Sequence, residues 1–371
     1  MDLALTDDQQ FFQETVRKFL EQETPIRTTR SWASRPEGFD PAWWRQAAEL
    51  GFTSFLVSEA DGGGSLSGRG LLDLVIVAEE IGRLAGAGPL VPTNVVAGAV
   101  SAHGTEAQRA RLLPGLLSGD TVTAWCGPAS RVTASREGDA FVLDGTSPSV
   151  EAAAQAVELL VTADGPDGPT QFLVATDAPG VTVTPLESFD LVRRFARVDL
   201  SGVRLDAGTV LGEVGGGEGA FAHQLRTAIV LQCAESVGAL DVVLATTIEY
   251  LGDRYSFGRP LSSYQALKHR LADLKLWLEA SHAITTLAAH CLQDDTVDVE
   301  EVVLAAGAYV GDHSSELVHD AVQLHGGIGV TWEHDLHLYL RRVTVNRSIS
   351  GTPAEHREKV AEISLQRLGE R

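Results

Sequence analysis

Apolar and polar residues alternate with the period of an α-helix over the first third of the chain. Two of the helical segments begin with a capping box, in which a threonine is followed three residues later by a glutamine: Thr6 with Gln9, and Thr105 with Gln108. The first helix ends before Pro25, because proline disrupts the interior of a helix. These signals predict helices from the first residues to about residue 119.

Two further helices are predicted between these capping boxes. Asp40 followed by Pro41 is typical of a helix start, and Gly51 marks the end of that helix. A longer apolar helix is predicted at about 70–84. The first domain is therefore expected to be α-helical and to span residues 1–119.

The pattern changes at about residue 120, where short segments rich in β-branched residues are separated by glycine, aspartate and proline. This pattern predicts an antiparallel sheet or small barrel, assigned to a middle β domain at residues 120–216. The predicted strands are Thr121–Cys126, Ala140–Leu143, Val157–Thr162, Gln171–Ala175, Val181–Val183 and Ala196–Leu200.

Helical periodicity returns after the glycine-rich turn at 215–219. Apolar segments at 219–252, 262–292 and 297–324 are each much longer than an average helix of about 12 residues. Helices of this length that are apolar on several sides pack as a bundle. The fold class is therefore mainly α with a central β domain, and residues 217–371 are predicted to form a C-terminal four-helix bundle.

Net charge, targeting signals and cysteine spacing limit the possible partners and the cellular compartment of the protein. The formal net charge of −21 excludes a nucleic-acid partner, which requires a basic face. No signal peptide or transmembrane segment is apparent, so we expect a cytoplasmic protein without a membrane partner. Cys126, Cys233 and Cys291 lie far apart and are expected to be reduced and buried.

Four segments, in this order, resemble motifs of the acyl-CoA dehydrogenase family. They span nearly the whole chain, and the order of helices, β domain and long-helix bundle is also that of the family. The segments are Leu56–Gly63 (LVSEADGG), Gly104–Gly119 (GTEAQRARLLPGLLSG), Arg254–Ala272 (RYSFGRPLSSYQALKHRLA) and Gln323–Gly329 (QLHGGIG).

The resemblance implies an FAD cofactor bound between subunits. In the family, one subunit holds the flavin ring with its β domain, and its neighbour contributes residues from the end of the bundle. The neighbour's residues correspond here to Arg254, Phe257, Gln265, Gln323, Gly326 and Gly327. An arginine can pair with the pyrophosphate, glutamines offer amide hydrogen bonds, and glycines allow close approach to the backbone. This half of the site is intact.

The half that the β domain should provide is altered. The family's T-E-P-x-x-G-S-D loop corresponds to a shortened segment from Trp125 to Ser130, and its W-I-T triplet corresponds to Ser149-Val150-Glu151. The family's catalytic glutamate, which removes the α-proton of the substrate, corresponds to Ser350, whose hydroxyl is too weak a base to act unaided. No catalytic residue is therefore assigned. Glu235 and Glu151 are alternative bases.

This asymmetry predicts a subunit that completes the FAD site of a different, catalytic acyl-CoA dehydrogenase chain in an α2β2 complex. The resemblance extends to actinobacterial complexes that degrade steroids, so the implied substrate is an acyl-CoA thioester, possibly from a steroid, with an electron-transfer flavoprotein as acceptor. Two alternatives stay open: a homotetrameric flavoenzyme with a non-standard base, and a flavin-free scaffold or acyl-CoA-binding protein.

The remaining polar clusters are interpreted as structural. His319, His325, His334 and His337 are expected to serve as helix caps or interface residues, so no metal site is predicted. Glu355 and His356 are expected to lie on a solvated helix face.

Overall fold

A computed structural model describes residues 3–369. The elements occur in the predicted order, with helices first, strands in the middle and long helices at the end, so the expected fold class is confirmed. The first six helices are α1 (Asp7–Glu23), α2 (Ile26–Trp32), α3 (Pro41–Glu49), α4 (Gly70–Arg83), α5 (Leu90–His103) and α6 (Glu106–Leu117).

Local capping signals fix several of these helix starts. The Thr6 hydroxyl accepts a hydrogen bond from the Gln9 amide at 3.2 Å, while the Gln9 side chain accepts one from the Thr6 amide at 3.2 Å. The same reciprocal pair forms between Thr105 and Gln108 at the start of α6. Both capping boxes are therefore confirmed. Each box satisfies backbone donors that a helix start leaves without partners.

The middle segment folds into one eight-stranded sheet in the order β6-β7-β3-β2-β4-β5-β8, with β1 beside β4. Its interior is apolar and includes an edge-to-face pair between Phe141 and Phe172 with centroids 5.1 Å apart. The strands are β1 (Thr123–Trp125), β2 (Arg131–Glu137), β3 (Ala140–Glu151), β4 (Glu158–Gly165), β5 (Gly168–Ala175), β6 (Val181–Leu186), β7 (Phe195–Leu205) and β8 (Val210–Leu211).

The sheet differs from the sequence-based expectation in its pairing and in its strands: β3 continues to Glu151, beyond the predicted end at Leu143, and the two-residue strand β8 was not predicted. The sheet is mixed rather than antiparallel, because β4 pairs in parallel with both β1 and β2. Strand β2 was not predicted, since only Val132 and Ala134 of its seven residues face the interior. A strand with so few buried side chains carries little of the period-2 pattern on which the prediction depends.

The C-terminal helices are as long as the sequence indicates. Helix α7 is apolar and long enough to cross a membrane by length and composition, but most of it is buried inside the protein, as in the core helix of a folded domain. The elements are α7 (Gly217–Asp253), the short hairpin strands β9 (Tyr255–Ser256) and β10 (Arg259–Pro260), α8 (Gln265–Gln293), α9 (Val299–His325), α10 (Leu336–Ile349) and α11 (Pro353–Gly369).

The chain divides into two compact units, each discontinuous in sequence. The bundle unit comprises residues up to Thr28, Val75–Gly86 and residues from Ile229 onwards. The sheet unit comprises Thr29–Leu74 and Ala87–Ala228. The division into domains at 1–119, 120–216 and 217–371 stays a prediction. All three cysteines are free and buried, as expected.

Candidate functional site

Six sequence-predicted cofactor residues lie on exposed positions of the bundle unit. Arg254 follows the end of α7, Phe257 lies in the following hairpin, and Gln265 is the first residue of α8. The other three lie at the end of α9 and just after it. All six are exposed: Arg254, Phe257, Gln265, Gln323, Gly326 and Gly327.

Packing brings these segments to one end of the bundle. Tyr250, one turn before Arg254, stacks on His325 at 4.4 Å, and its hydroxyl donates a hydrogen bond to the His325 carbonyl at 3.1 Å. An ion pair between Arg270 and Asp320 joins the start of α8 to the end of α9. We call Arg254, Phe257, Gln265, Gln323, Gly326 and Gly327 the bundle-end cluster.

The polar side chains of the bundle-end cluster have no internal role. Within residues 3–369, the side chains of Arg254, Gln265 and Gln323 form no ion pair or hydrogen bond with other residues of the chain. Polar groups in this condition are either solvated or available to a ligand or another chain. The backbone around Arg254 is nevertheless ordered, because its carbonyl accepts a hydrogen bond from the Leu261 amide at 2.8 Å.

Phe257 lies at the tip of the hairpin between β9 and β10. Its side chain is 97% exposed, and its backbone φ is +50°. With Gly258 at φ +79°, the turn has positive φ at both central residues, as two-residue hairpins favour. A bulky residue with positive φ is strained by about 1 kcal/mol or more. Because its side chain is 97% exposed, packing within residues 3–369 does little to offset that strain.

The backbone at Gly326 and Gly327 is sterically accessible. Gly326 ends α9 with φ 63° and ψ −139°, a conformation that glycine adopts far more readily than other residues. A Cβ atom placed on Gly326 or Gly327 would have no heavy atom within 4 Å. The backbone of this segment is therefore accessible to an approaching group.

In the sheet unit, the segments that the sequence analysis aligned with the family's flavin-ring site contain internal side-chain contacts. Glu151 forms a two-point ion pair with Arg193, in which Arg193 Nε donates to Glu151 Oε1 at 2.8 Å and Arg193 Nη2 donates to Oε2. Arg193 is buried. The charge of Glu151 is therefore neutralised within the protein, which the sequence analysis did not foresee.

The shortened loop from Trp125 to Ser130 is also held by neighbouring residues. Trp125 Nε1 donates a hydrogen bond to Gln224 Oε1 at 3.1 Å, and the hydroxyls of Ser130 and Ser147 lie 2.7 Å apart. We call the Trp125–Ser130 and Ser147–Glu151 segments together the sheet-side region. Trp125, Ser130, Ser147 and Glu151 thus have side-chain partners within the sheet unit, whereas Ser149 is exposed.

Ser350, which the sequence resemblance aligns with the family's base, is buried just after the end of α10. The adjacent cavity measures only about 20 Å³. The His356 ring fills much of the space, since a Cβ on Gly351 would come within 2.9 Å of its Nε2 atom. The expectation that His356 lies on a solvated face is wrong: His356 is buried, and that burial lowers its pKa. Glu355 is exposed, as expected, and accepts a hydrogen bond from the Thr352 amide at 2.7 Å.

Glu235 is held in a buried network of the bundle unit. Its Oε1 accepts a hydrogen bond from Arg342 Nη1 at 2.7 Å, and its Oε2 accepts one from Asn346 Nδ2 at 2.9 Å. Arg342 is fully buried and also donates to the carbonyls of Ala85 and Gly86. These contacts give Glu235 a structural role in joining α7 to α10 and to the residues after α4.

The histidines near the bundle-end cluster pack mainly as aromatic rings. His325 contacts the ring of His334 at 4.7 Å, and His337 stacks on Trp332 at 4.4 Å. His325 Nδ1 also lies 2.8 Å from the Ala321 carbonyl. These contacts account for three of the four histidines as structural residues. The fourth, His319, is exposed on α9.

Comparison with known proteins bears directly on the fold and the family. The acyl-CoA dehydrogenase N-terminal domain matches residues 6–120, and the C-terminal domain matches residues 215–365. The chain is 29% identical to acyl-CoA dehydrogenase IpdE2 of Mycolicibacterium smegmatis over 353 residues, which cover 95% of this chain and 97% of that protein.

Two solved structures of complexes are also similar. A chain of the Tcur3481–Tcur3483 steroid acyl-CoA dehydrogenase aligns with a TM-score of 0.88 and 29% identity, covering 98% of this chain and 99% of that one. A chain of the ChsE4–ChsE5 complex from Mycobacterium tuberculosis aligns with a TM-score of 0.90 and 26% identity, covering 98% of each chain. From these matches and its architecture, the chain belongs to the acyl-CoA dehydrogenase family, whose members are oxidoreductases that act on acyl-CoA.

Proposed function

We propose that this chain is the non-catalytic subunit of a heteromeric FAD-dependent acyl-CoA dehydrogenase. It supplies the bundle-end cluster to a flavin held by a catalytic partner subunit, and it contributes no base of its own. The observation that carries the proposal is a contrast between two regions. The polar side chains of the exposed bundle-end cluster have no partner within residues 3–369, whereas Trp125, Ser130, Ser147 and Glu151 of the sheet-side region are paired internally.

The bundle-end cluster fits the outer part of an FAD molecule. Arg254 has an exposed guanidinium with no ion pair in residues 3–369, and a planar guanidinium can bind phosphate oxygens in a two-point contact. Gln265 and Gln323 offer amide groups, and the open backbone at Gly326 and Gly327 permits close approach. When bound, FAD would accept the hydride that leaves the β-carbon of the acyl-CoA.

The chain's own residues do not fit a complete second site. A thioester and a carboxylate base need far more room than the cavity of about 20 Å³ beside Ser350. The sheet-side region has an ion pair of Glu151 with Arg193 where the family has a hydroxyl for the flavin edge. The role of this chain is therefore to bind and orient the partner's flavin and to exclude water from it.

The partner and substrate follow from the relatives. The ChsE4–ChsE5 and Tcur3481–Tcur3483 structures are complexes named for two chains, and the second is described as a steroid acyl-CoA dehydrogenase. By similarity, we propose an α2β2 assembly that acts on an acyl-CoA thioester derived from a steroid. An electron-transfer flavoprotein is the proposed electron acceptor.

Substitution of Arg254 tests the proposal in the complex. The chain would be co-expressed with a catalytic acyl-CoA dehydrogenase chain from the same organism, and flavin would be measured by absorbance after purification. Loss of one charged phosphate contact costs about 1.5–3 kcal/mol, so Arg254→Ala should weaken flavin binding by about 10- to 100-fold. Dehydrogenase activity should fall in parallel and recover in part with excess FAD.

The matched control is Arg367→Ala. Arg367 also lies on the surface of the bundle unit, but it pairs with Asp298 and Glu301 rather than being unpaired. It should leave flavin content unchanged. If Arg254→Ala behaves like this control, the bundle-end cluster does not bind FAD, and a flavin-free scaffold becomes the better account.

A further inference from the structure

A second polar cluster lies in the bundle unit and includes none of the flavin residues. Glu79 of α4, Asp241 of α7 and His282 of α8 each present one ligand atom, and these three atoms lie within 4.8 Å of one another. All three residues are partly buried. The sequence analysis did not find this cluster, because its members are distant along the chain and form no spaced motif.

Close packing of α4 against α7 fixes the backbone positions of Glu79 and Asp241. Helices α4 and α7 approach so closely that a Cβ atom on Gly238 would lie 1.9 Å from the Glu79 carbonyl. A Cβ on Gly82 would likewise lie 1.9 Å from the Glu235 carbonyl. Since only glycine fits at both positions, the separation of Glu79 from Asp241 is fixed by the helix crossing.

Among the described residues, only the nearby charges of His282 and Arg83 favour the ionised form of Glu79. Within residues 3–369 its carboxylate accepts no hydrogen bond and forms no ion pair, and burial raises its pKa to about 7. Asp241, in contrast, accepts from Arg83 Nη1 at 3.2 Å and lies 3.5 Å from His282 Nε2. A partly buried carboxylate beside a second carboxylate is costly unless a cation joins them.

The net charge around Glu79, Asp241 and His282 is compatible with binding of a divalent cation. Arg83 is a positive group beside the cluster. Although burial opposes it, the hydrogen bond to Asp241 and the charge of Glu79 raise the pKa of His282, so metal binding has to displace the imidazole proton. With the imidazole neutral, the two carboxylates and Arg83 sum to one negative charge. The other charged side chains nearby are already paired, Glu80 with Arg17 at 2.7 Å and Lys275 with Glu279 at 2.5 Å. A divalent ion would therefore not be repelled.

We propose that Glu79, Asp241 and His282 form a binding site for a divalent transition metal of the zinc class. Carboxylate oxygens and imidazole nitrogens both bind zinc, and three protein ligands leave a fourth position for water. Donors in a tetrahedral zinc site lie about 3.4 Å apart, so the side chains need to close by about 1 Å. The imidazole favours Zn²⁺ or Co²⁺ over Mg²⁺, which prefers oxygen ligands. The metal would join α4, α7 and α8.

Isothermal titration of the full chain with ZnCl₂ or MgCl₂ at pH 8 tests the site. The expected result is about one Zn²⁺ per chain with a Kd below about 10 μM, and no Mg²⁺ binding at the same concentrations. Glu79→Gln and His282→Asn should each weaken Zn²⁺ binding at least about 10-fold. His103→Asn, which changes an exposed histidine of the sheet unit, should leave binding unchanged.

Absence of Zn²⁺ binding, or equal binding by the two cluster variants and the wild-type chain, overturns the proposal. Circular dichroism would establish that the variants fold. If the variants do not fold, X-ray absorption of the Co²⁺-loaded wild-type chain tests whether the proposed site binds the metal. The site predicts nitrogen and oxygen ligands that include a single imidazole, and a spectrum with no imidazole or with several contradicts it.

Discussion

In the proposed assembly, the bundle-end cluster and the sheet-side region correspond to the two halves of a flavin site, and they differ in how their polar groups are satisfied. In the bundle-end cluster, Arg254, Gln265 and Gln323 are exposed and have no side-chain partner within the described residues. In the sheet-side region, Glu151 is paired with the buried Arg193. Polar groups that are paired within the chain stabilise the chain itself, whereas exposed groups without a partner are available to a ligand or another chain.

The largest expected effect comes from breaking the internal pair of the sheet-side region. Glu151→Thr, which introduces the family's hydroxyl, leaves Arg193 buried without its counter-ion, and such a change costs about 3–5 kcal/mol of unfolding free energy. Arg254→Ala, at the bundle-end cluster, should change stability by less than about 0.5 kcal/mol. Urea denaturation measures both. Similar losses for the two variants would contradict the contrast.

Glu235→Gln gives the next largest effect. The substitution removes the charge that balances the buried Arg342, so we expect a loss of about 3 kcal/mol, with the activity per bound flavin of the mixed complex unchanged. Glu249→Gln, which alters an exposed residue of the same helix, is the control and should be neutral. The account that uses Glu235 as a base predicts the reverse for Glu235→Gln: activity abolished and stability retained.

Ser350→Glu should have a smaller effect on stability and none on activity. A longer side chain cannot fit the cavity of about 20 Å³ beside His356 without displacing it, and overpacking costs about 1–3 kcal/mol. The measurement is thermal unfolding together with an acyl-CoA dehydrogenase assay of the chain alone. If this variant gains dehydrogenase activity, the chain holds a complete substrate site that the proposal denies.

The smallest expected effect is a pH dependence from His356. Burial lowers its pKa in the folded chain, so the unfolded chain binds the proton more readily. This contribution to stability is therefore present above the unfolded pKa of about 6.5 and is lost as the pH falls below it. His356→Gln should flatten the decline in stability between pH 7 and pH 5. An unchanged dependence of stability on pH in His356→Gln would show that His356 does not contribute to that dependence.

Local signals made most of the helical fold predictable. The capping boxes at Thr6 and Thr105 depend on residues three positions apart, so the sequence contains all the information they need. The long apolar segments of the bundle were likewise evident. Strand β2 and the parallel pairings of β4 were missed, because pairing partners are chosen by the whole sheet and not by the strand alone.

The six residues of the bundle-end cluster could be named from motifs, but their lack of partners could not. The pairs that close the alternative sites join residues far apart in sequence: Glu151 and Arg193 are 42 positions apart, and Glu235 and Arg342 are 107. The burial of His356 was mispredicted for a related reason. Its helix is polar in sequence, and the packing of the ring against Gly307 and Gly351 is visible only in three dimensions.

The most direct test of the split flavin site is the flavin content and mass of the chain, purified alone and co-expressed with a catalytic acyl-CoA dehydrogenase chain from the same organism. The account predicts colourless protein from the chain alone, and a mixed tetramer with about one FAD per two chains. A yellow homo-oligomer with one FAD per chain would contradict it and would return attention to Glu235 and Glu151 as bases.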